Sequence, residues 1–331
     1  IVRTGVSLEE AVQQVKEDEG LGRVLEDEKV LDALDLFPSL NTTYAVSENQ
    51  NLRFSYARTI ARPSFKELSF AQIFDPVSGR AFNGGLFPYD TDNDLWDGNL
   101  SETYINNFDL RWEVFLKRGQ TYSVSAFYKS FNDPIELVRI PAAQTSNELQ
   151  VRNVGDSYVY GAEFEFRTAL GIITPALDNF FFNGNVTITE SVLQMTNVEF
   201  VGRQAFEREG QNIDDTRQMA GQAPYVINGG LSYENLPLGL DAGLFYNVQG
   251  PTLAVVGVRL FPDVFTEPFH SLNFNMNKTF GEDRRFSMNF SVENILDDRR
   301  EEFFTGFNAE DQIFTGFSPG TTFGFGGSYR F

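Results

Sequence analysis

The sequence contains no cysteine and a single histidine, His270, among its 331 residues. A disulfide framework and a thiolate metal site are therefore excluded, and zinc chemistry lacks its usual ligands. No run of about 18 apolar residues is present, so the chain has no candidate transmembrane helix. The net charge of −20 argues against nucleic-acid binding, because that binding depends on Lys and Arg neutralising phosphates.

The beginning of the chain lacks the features of a primary translation product. No Met precedes Ile1 and no signal-sequence pattern follows it, so we expect a mature protein, a processed one or a fragment. Residues 1–35 are expected to hold a partial strand and then an acidic loop. The apolar spacing between Leu8 and Val15 is also typical of a short helix, and a solvated loop is the preferred interpretation.

Aromatic residues and glycine are abundant, with 34 Phe, 12 Tyr and 28 Gly. They follow an alternating pattern that is clearest over Asn106–Phe131. The even positions there include Phe108, Leu110, Trp112 and Val114, and the odd positions include Asp109, Arg111 and Glu113. The alternation resumes after the polar turn Lys117–Gln120. A period of two predicts an antiparallel hairpin whose strands each have one apolar and one polar face. Each strand has about ten residues, the length that crosses a bilayer when tilted.

The same alternation predicts about twelve strands in the whole chain, most of them in residues 36–331. Short connections alternate with long ones, and the short ones are Ser47–Asn51, Lys117–Gln120, Ala169–Asp178, Asn235–Leu238 and Gly281–Arg284. This asymmetry is typical of an outer-membrane barrel with short periplasmic turns and long extracellular loops. We therefore predict an all-β fold, an antiparallel transmembrane β-barrel, over residues 36–331. The acidic loop in residues 1–35 then belongs to the extracellular side.

The polar face of these strands is expected to line a wet barrel lumen. Its charged members are Asp109, Arg111, Glu113, Glu163, Glu165 and Arg167, and we assign Arg53, Arg58 and Arg62 to the same lumen. A soluble meander would alternate in the same way, with its polar face in water. Aromatic residues near strand ends, such as Tyr122 and Tyr128, favour the membrane barrel, as does the length of the strands.

Several sequence blocks together resemble one protein family. They read LFPSLN at Leu36–Asn41, NLRFSYARTIARPSF at Asn51–Phe65, NNFDLRWE at Asn106–Glu113, GQAPYVINGGLSYE at Gly221–Glu234 and VENIL at Val292–Leu296. Further similar blocks lie at Gly98–Leu100, Ser125–Phe131 and Asn153–Glu165. In this order, the blocks cover most of residues 36–331 and resemble the C-terminal part of the barrel of TonB-dependent outer-membrane receptors, of the type common in Bacteroidetes.

This resemblance implies a fold, a location and partners. Family barrels have about 22 strands and a plugged lumen, so about twelve strands would be part of such a barrel. The plug domain and the Ton box, through which TonB acts, are missing from the chain, which we therefore expect to be a fragment. The resemblance also implies the outer membrane of a Gram-negative bacterium, contact with its lipid and a surface lipoprotein partner. The terminal Phe331 resembles the signal that the barrel-assembly machinery reads.

The long connections carry the candidate ligand and metal residues. Phe87, Tyr89, Trp96 and Tyr104 are candidates for stacking on a ligand, or they pack on one another. Asp90, Asp92, Asp94 and Asp97 form a weak calcium candidate, because Leu95 and Ser101 stand where a calcium loop has Gly and Glu. A solvated loop is the preferred interpretation of these acidic residues.

We expect no enzymatic activity and no cofactor. His270 has no identifiable catalytic partner, and the paired Glu163 and Glu165 fit a lumen lining better than acid–base catalysis. The function that the resemblance implies is energised import of a scarce ligand, such as a ferric siderophore, a cobalamin-like cofactor, a glycan or a peptide. The alternatives are a passive or structural outer-membrane barrel and a soluble all-β carbohydrate-binding module.

Overall fold

A computed structural model describes residues 34–76, 79–87, 89–91, 94–96, 98, 100–140, 148–281 and 283–331, with only the backbone for Arg118 and for 89–91 and 94–96. The predicted partial strand at the start of the chain and the acidic loop of 1–35 lie almost wholly outside these residues. No helix in the described part is long and apolar enough to cross a membrane.

The described part of the chain is almost entirely β-structure. Its strands are β1 Ser39–Ser47, β2 Gln50–Ala61, β3 Gln72–Asp75, β4 Arg80–Asn83, β5 Tyr89–Thr91, β6 Asp94–Trp96, β7 Thr103–Phe115, β8 Thr121–Asn132, β9 Ile135–Arg139, β10 Glu148–Asn153, β11 Ser157–Ala169, β12 Phe180–Gln194, β13 Thr216–Arg217, β14 Tyr225–Asn235, β15 Leu240–Gln249, β16 Thr252–Val255, β17 Val264–Thr266, β18 Ser271–Phe280, β19 Phe286–Glu293, β20 Arg300–Phe304, β21 Gln312–Phe317 and β22 Thr322–Tyr329. One α-helix, α1, spans Asn197–Gln204.

Eleven long strands form one antiparallel sheet in the order β1-β2-β7-β8-β11-β12-β14-β15-β18-β19-β22, and the two-residue β13 pairs with β12. Each long strand is hydrogen-bonded to the next long strand along the chain, so the sheet is a continuous meander. All eleven strands predicted after residue 36 are present, which confirms the all-β prediction. Proline ends β2 as expected, because β2 stops at Ala61 and Pro63 has no backbone N–H to continue the pairing.

The strand register keeps the two faces separate. Leu110 of β7 lies opposite Phe54 and Ala126, whereas Arg111 lies opposite Arg53 and Ser125. Apolar side chains therefore form continuous bands across the strands, and some of their rings are close: the centroids of Tyr56 and Phe108 and those of Phe180 and Tyr233 are both 4.9 Å apart. The sheet does not bury this apolar face, since Leu110 is 48% exposed and Phe164 47%. A soluble sheet would bury such a face against a second layer.

The short connections follow the prediction closely. Gly239 and Gly281 adopt positive φ angles of 60° and 82° in two of them, a conformation that costs glycine little. The connection Ala169–Asp178 contains two 3-10 turns, Leu170–Ile172 and Pro175–Leu177, rather than an open loop. Short and long connections alternate along the antiparallel meander. All short connections therefore lie at one end of the sheet.

The long connections are more ordered than the loops we expected. They build a sheet of order β3-β4-β10-β9, a second of order β16-β17-β20-β21, the pair β5-β6 and helix α1. Thr196 caps α1, since its side chain accepts a hydrogen bond of 3.3 Å from the backbone N–H of Glu199. The sequence conceals these elements because strands of three to six residues are too short for a period to be recognised.

The outer edges of β1 and β22 pair with no strand of the described residues. The long strands thus form an open portion of a barrel and do not close into a smaller one. Side chains along all of β1 are exposed on both faces. Unpaired backbone groups at such edges are not tolerated in lipid, because lipid offers no hydrogen-bonding partner.

A pair of glycine substitutions tests the register. At Gly161 of β11, a Cβ would collide with the carbonyl oxygen of Ile188 and lie 2.7 Å from the ring of Phe127, whereas at Gly229 of β14 it would meet nothing within 4 Å. Gly161→Ala should lower the free energy of unfolding by about 1–3 kcal/mol, and Gly229→Ala should change it by less than about 0.5 kcal/mol. Urea unfolding in detergent measures both variants, and equal effects would contradict the register.

Candidate functional site

The long connections converge at one end of the main sheet, and together they form what we call the cap. The cap comprises the described residues within the ranges 62–102, 133–156, 195–224, 250–270 and 294–321. These connections meet because consecutive antiparallel strands return each of them to the same edge. A parallel bridge between Val138 and Val256 joins the two small sheets of the cap.

A chain of ion pairs links several elements of the cap. Arg217 of β13 contacts Glu136 of β9 at 2.8 Å and Glu199 of α1 at 2.6 Å. Glu199 also contacts Arg203 at 3.1 Å, and Arg203 forms two hydrogen bonds of 2.8 and 3.0 Å with Asp263. Only 6% of the Arg217 side chain and 3% of the Glu136 side chain are exposed. Such a buried pair is costly to desolvate, so it fixes the arrangement of the cap more than it adds stability.

The charges in this chain of ion pairs are matched to one another. Burial by itself would lower the pKa of Arg217, but the carboxylates of Glu136 and Glu199 outweigh it and raise that pKa above its ordinary value. Burial acts in the same way on Arg203, and Asp263 and Glu199 again raise the pKa. Both guanidinium groups therefore remain charged at every physiological pH.

Arg139 of β9 joins the two small sheets through aromatic rings. Its guanidinium carbon lies 5.3, 5.4 and 5.8 Å from the ring centroids of Phe261, Phe304 and Phe314. Arg80 lies 3.6 Å from the centroid of Phe314. Burial, and secondarily the charge of Arg80, lower the pKa of Arg139. Ring faces attract cations, so these contacts offset part of the cost of burying Arg139.

Beneath these rings lies the apolar core of the cap. Leu149, Val255 and Val264 are buried and pack together, with Phe82 and Leu137 against them. Because these residues come from five different strands, the two small sheets share one core. The cap is therefore a folded unit with its own interior, and this distinguishes it from a set of independent loops.

One cleft in the described part of the cap is basic and aromatic. Its volume is about 140 Å³, and its lining includes Arg203, Arg208, Arg259, Phe206, Phe261 and Phe307. Asp263 is the acidic member of the lining, and it is already paired with Arg203. Arg259 adopts a positive φ of 54°, which is uncommon outside glycine. It lies in a tight turn in which the backbone N–H of Phe261 donates to the carbonyl of Val258.

The second cleft is larger and mainly acidic. Its volume is about 500 Å³, and its lining includes Gln249, Glu267, Phe269, Arg300, Glu301 and Glu302. Partial burial raises the pKa of Glu302, while Arg80 acts in the opposite direction. The guanidinium of Arg300 lies 4.7 Å from the ring centroid of Phe269. The two clefts thus offer opposite charges at the same end of the sheet.

The predicted aromatic ligand contacts lie on several elements of the chain, and only the backbone is described for Tyr89 and Trp96. The backbone carbonyl of Phe87 accepts a hydrogen bond of 2.7 Å from the side chain of the buried Gln150. Tyr89 and Trp96 are paired in register between β5 and β6. Tyr104 belongs to β7, where its hydroxyl donates to Asp35 at 2.8 Å and Arg58 lies 4.9 Å from its ring. Ligand contact by these four residues stays a prediction.

The calcium candidate is only partly covered by the structure. Asp90 and Asp94 lie on the paired β5 and β6, and Asp92 and Asp97 lie outside the described residues. Among the described side chains, no three acidic or histidine residues come together in a way that would hold a metal ion. A calcium site at these four residues stays a prediction.

Seven of the predicted lumen residues share one face of the main sheet: Arg53, Asp109, Arg111, Glu113, Glu163, Glu165 and Arg167. Arg111 contacts Glu165 at 2.6 Å and Glu113 at 3.3 Å, and Arg53 pairs with Glu113 as well. Asp109, Glu163 and Arg167 have the same register parity, and Arg167 lies 5.9 Å from the ring of Phe181. Arg111 reaches across β8 to Glu165 on β11, so this face carries a polar network that extends over four adjacent strands, from β2 to β11.

One predicted lumen residue was wrong. Arg58 lies an odd number of residues after Arg53, so the strand places it on the opposite face, opposite Asn106 and over the ring of Tyr104. The strand alternation alone places Arg53 and Arg58 on opposite faces, because they are five residues apart in the sequence. Arg62 follows the end of β2 and is exposed.

His270 and Phe331 lie at opposite ends of the sheet. The ring Nδ1 of His270 is 2.7 Å from the hydroxyl of Tyr246, and its backbone N–H donates to Asp298 at 2.7 Å. Its position just before β18 agrees with a polar rim. Phe331 is fully exposed and packs edge-to-face on Tyr329, with ring centroids 5.2 Å apart. Its role as an assembly signal stays a prediction.

A comparison with protein families gives a match that covers most of the chain. The family described as TonB dependent receptor-like, beta-barrel, matches residues 13–295. The chain belongs to the TonB-dependent receptor β-barrel family. No curated protein sequence matches the chain. The Bacteroidetes type stays a prediction.

Solved receptor barrels resemble this family member in fold. A mutant of the ferric enterobactin receptor PfeA from Pseudomonas aeruginosa has 16% sequence identity and a TM-score of 0.55, with 89% of this chain and 40% of the receptor covered. The ferric citrate transporter FecA has 15% sequence identity and a TM-score of 0.55, with 88% of this chain and 38% of the transporter covered. The copper transporter OprC has 15% sequence identity and a TM-score of 0.56, with 88% of this chain and 39% of the transporter covered. The chain thus spans about 40% of the length of these proteins, which it resembles in fold alone.

The buried ion pairs of the cap make a prediction about its local stability. Glu136→Ala leaves the buried Arg217 with Glu199 as its remaining carboxylate partner, and should lower the local opening free energy of α1 and β13 by about 3–5 kcal/mol. Hydrogen exchange of the amides in these elements measures it. The control is Asp283→Ala, which breaks an exposed pair with Arg285 and should cost less than about 1 kcal/mol. Unchanged exchange in Glu136→Ala would contradict the role of the ion pairs.

Glu302 makes a prediction about pH. Because its folded pKa is raised, protonation favours the folded cap, and this contribution is lost as pH rises through the folded pKa. Glu302→Gln should therefore raise the melting temperature at pH 7, and the difference should shrink as the pH falls through the raised folded pKa to the ordinary pKa of 4.5. Thermal unfolding between these pH values measures the effect. Glu310→Gln, which removes an exposed carboxylate of the cap, is the control, and equal effects of the two variants would contradict the role of burial.

Proposed function

We propose that the chain forms the ligand-receiving part of an outer-membrane receptor that imports a scarce ligand by TonB-dependent transport. The observation that carries this proposal is the cap, in which all the long connections fold over one end of a sheet with a polar face. Family membership supports the same function. A passive pore has no need of a cap whose connections are held together by buried ion pairs.

The orientation in the membrane follows from the two faces and the two ends. The apolar face contacts outer-membrane lipid, and the face with Asp109, Arg111, Glu113, Glu163, Glu165 and Arg167 lines the lumen. The short connections lie in the periplasm and the cap lies outside the cell, as is usual in such barrels. Exposure of Leu110 and Phe164 supports this arrangement, since both would be covered by lipid.

Further strands complete the barrel in this proposal. Lipid does not tolerate the unpaired edges of β1 and β22, and the chain covers about 40% of the solved receptor PfeA. A plug and a Ton box outside this sequence would receive the pull of TonB. A surface lipoprotein that binds the cap stays a prediction.

The basic cleft supports an anionic ligand. The cleft holds three arginines and one aspartate in a chain whose net charge is −20, so its charge differs sharply from that of the whole chain. Arg208 and Arg259 form no ion pair with a carboxylate of the described residues. One guanidinium nitrogen of Arg208 donates to the backbone carbonyl of Phe307 at 3.4 Å, and its other donors can meet negative charge. The rings of Phe206, Phe261 and Phe307 offer stacking surfaces beside them. A ferric complex of an anionic chelator matches both features, and we favour it over a neutral glycan.

Uptake measurements test this function. Cells that express the receptor should accumulate ⁵⁵Fe supplied as a ferric catecholate or ferric citrate complex, and deletion of tonB should abolish it. Arg208→Ala/Arg259→Ala should weaken binding of the complex by about tenfold or more, because charge-assisted hydrogen bonds contribute about 1.5–3 kcal/mol each.

The matched control removes two exposed cations outside the cleft. Arg62→Ala/Lys66→Ala should bind the complex as the unchanged receptor does. Accumulation that is equal with and without tonB would contradict the proposal and indicate a passive barrel. TonB-dependent uptake with equal binding in both double variants would refute the basic cleft alone.

A further inference from the structure

A row of aromatic side chains lies at the short-connection end of β18, β19 and β22. Phe286 is opposite Phe280 on one neighbouring strand and opposite Tyr329 on the other, so the three rings share the apolar face of the sheet. The ring centroids of Phe280 and Phe286 are 5.6 Å apart. All three rings are at least 40% exposed. This row therefore offers an aromatic surface at the boundary between the apolar face and water.

Four cations lie at or near this end of the three strands. Lys278, on the apolar face, reaches back to the neighbouring turn, where its ammonium donates to the carbonyl of Leu238 and lies 5.5 Å from the centroid of Phe280. Arg284 donates to the carbonyl of Leu236 at 2.5 Å. A long cationic side chain on an apolar surface extends toward the polar boundary in this way.

Arg285 and Arg330 complete the set. They are neighbours across the ends of β19 and β22, where the backbone N–H of Arg330 donates to the carbonyl of Arg285 at 2.8 Å. Arg285 has a partner in Asp283 at 3.4 Å, and both side chains are more than half exposed. Like charges in adjacent positions repel each other, so a bound anion would relieve this repulsion.

The balance of charge at this rim is positive. Lys278, Arg284 and Arg330 form no ion pair with a described carboxylate, and Asp283 is the described acid in the turn. The sequence adds one more acid, Glu282. Counted by sequence, this end of the three strands carries four cations and two acids, in a chain whose net charge is −20.

An open groove joins the three rings to Arg284 and Arg285. Its volume is about 560 Å³, and its lining consists of Phe280, Gly281, Asp283, Arg284, Arg285, Phe286 and Tyr329. The groove thus has an aromatic floor continuous with the apolar face and a basic margin at the turn. A phospholipid has this same sequence of parts, because its acyl chains end in a charged phosphate at the membrane boundary.

We propose that this groove binds the phosphate headgroup of an acidic phospholipid in the membrane leaflet at the short-connection end. This inference rests on the proposed function, since it requires that the apolar face be in lipid. Arg284 and Arg285 contact the phosphate, and Phe280, Phe286 and Tyr329 contact the glycerol and the upper acyl chains. Juxtamembrane cations attract acidic lipids by such contacts.

Native mass spectrometry of the receptor purified in detergent tests the proposal. Phosphatidylglycerol should remain bound, and Arg284→Ala/Arg285→Ala should weaken that binding by about tenfold or more. The matched control is Lys117→Ala/Arg118→Ala, which removes two cations from another short turn and should bind as the unchanged receptor does. Equal binding in the groove variant and the control variant would overturn the proposal.

Two further measurements keep the result decisive. Arg285→Gln removes the charge of an exposed lining residue and keeps the backbone hydrogen bond from Arg330, so it should leave the fold intact and weaken phosphatidylglycerol binding in the same direction. A folding defect at Arg284 would then not hide the effect. An excess of sn-glycerol 3-phosphate should not displace the lipid. Displacement by it would mean a site for free phosphate esters and would overturn the lipid proposal.

The outcome is separable from that of the proposed function. A receptor that fails to fractionate with membranes would refute the proposed function before any lipid is added. A receptor that imports iron through TonB but binds phosphatidylglycerol equally in all variants would refute the lipid groove alone.

Discussion

The constraint on which the structure depends is the satisfaction of backbone hydrogen bonds in a sheet with one apolar face. Each long strand pairs with its neighbour along the chain, so only the two edges of the described sheet remain open. The alternation sends Leu110 to one face and Arg111 to the other. A register shift of one residue would exchange the two faces and place Arg111 and Glu113 in lipid, which is costly for the fold.

The cap depends on this sheet. Five connections leave the same edge, and they are then fixed by charges that are buried together, from Glu136 through Arg217 to Asp263. Because each buried charge needs its partner, these pairs select one arrangement of the connections among many. The basic and acidic clefts result from this arrangement, and neither exists within a single connection. The sheet supplies the position of the cap, and the ion pairs supply its shape.

Sequence patterns predict the sheet far better than the cap. A strand of about ten residues repeats its period of two several times, so the sequence predicts the strand. Its neighbour in the sheet is the next long strand along the chain, so the sequence also predicts the strand order. The cap is held by contacts between distant residues: Arg203 meets Asp263 across 60 positions, and Glu136 meets Ala220 across 84. No local sequence pattern predicts such pairs of distant residues. The ligand-contact candidate Tyr104 also has a distant partner, since its hydroxyl donates to Asp35 across 69 positions.

Chemical labelling of single cysteines tests the separation of the two faces most directly, because the sequence has no cysteine of its own. Asp109→Cys and Arg111→Cys should react quickly with a small water-soluble thiol reagent while the receptor is in the membrane. Phe108→Cys and Leu110→Cys should react slowly until detergent and denaturant are added. Equal reaction rates at all four positions would contradict a barrel with a lipid-facing and a lumen-facing side.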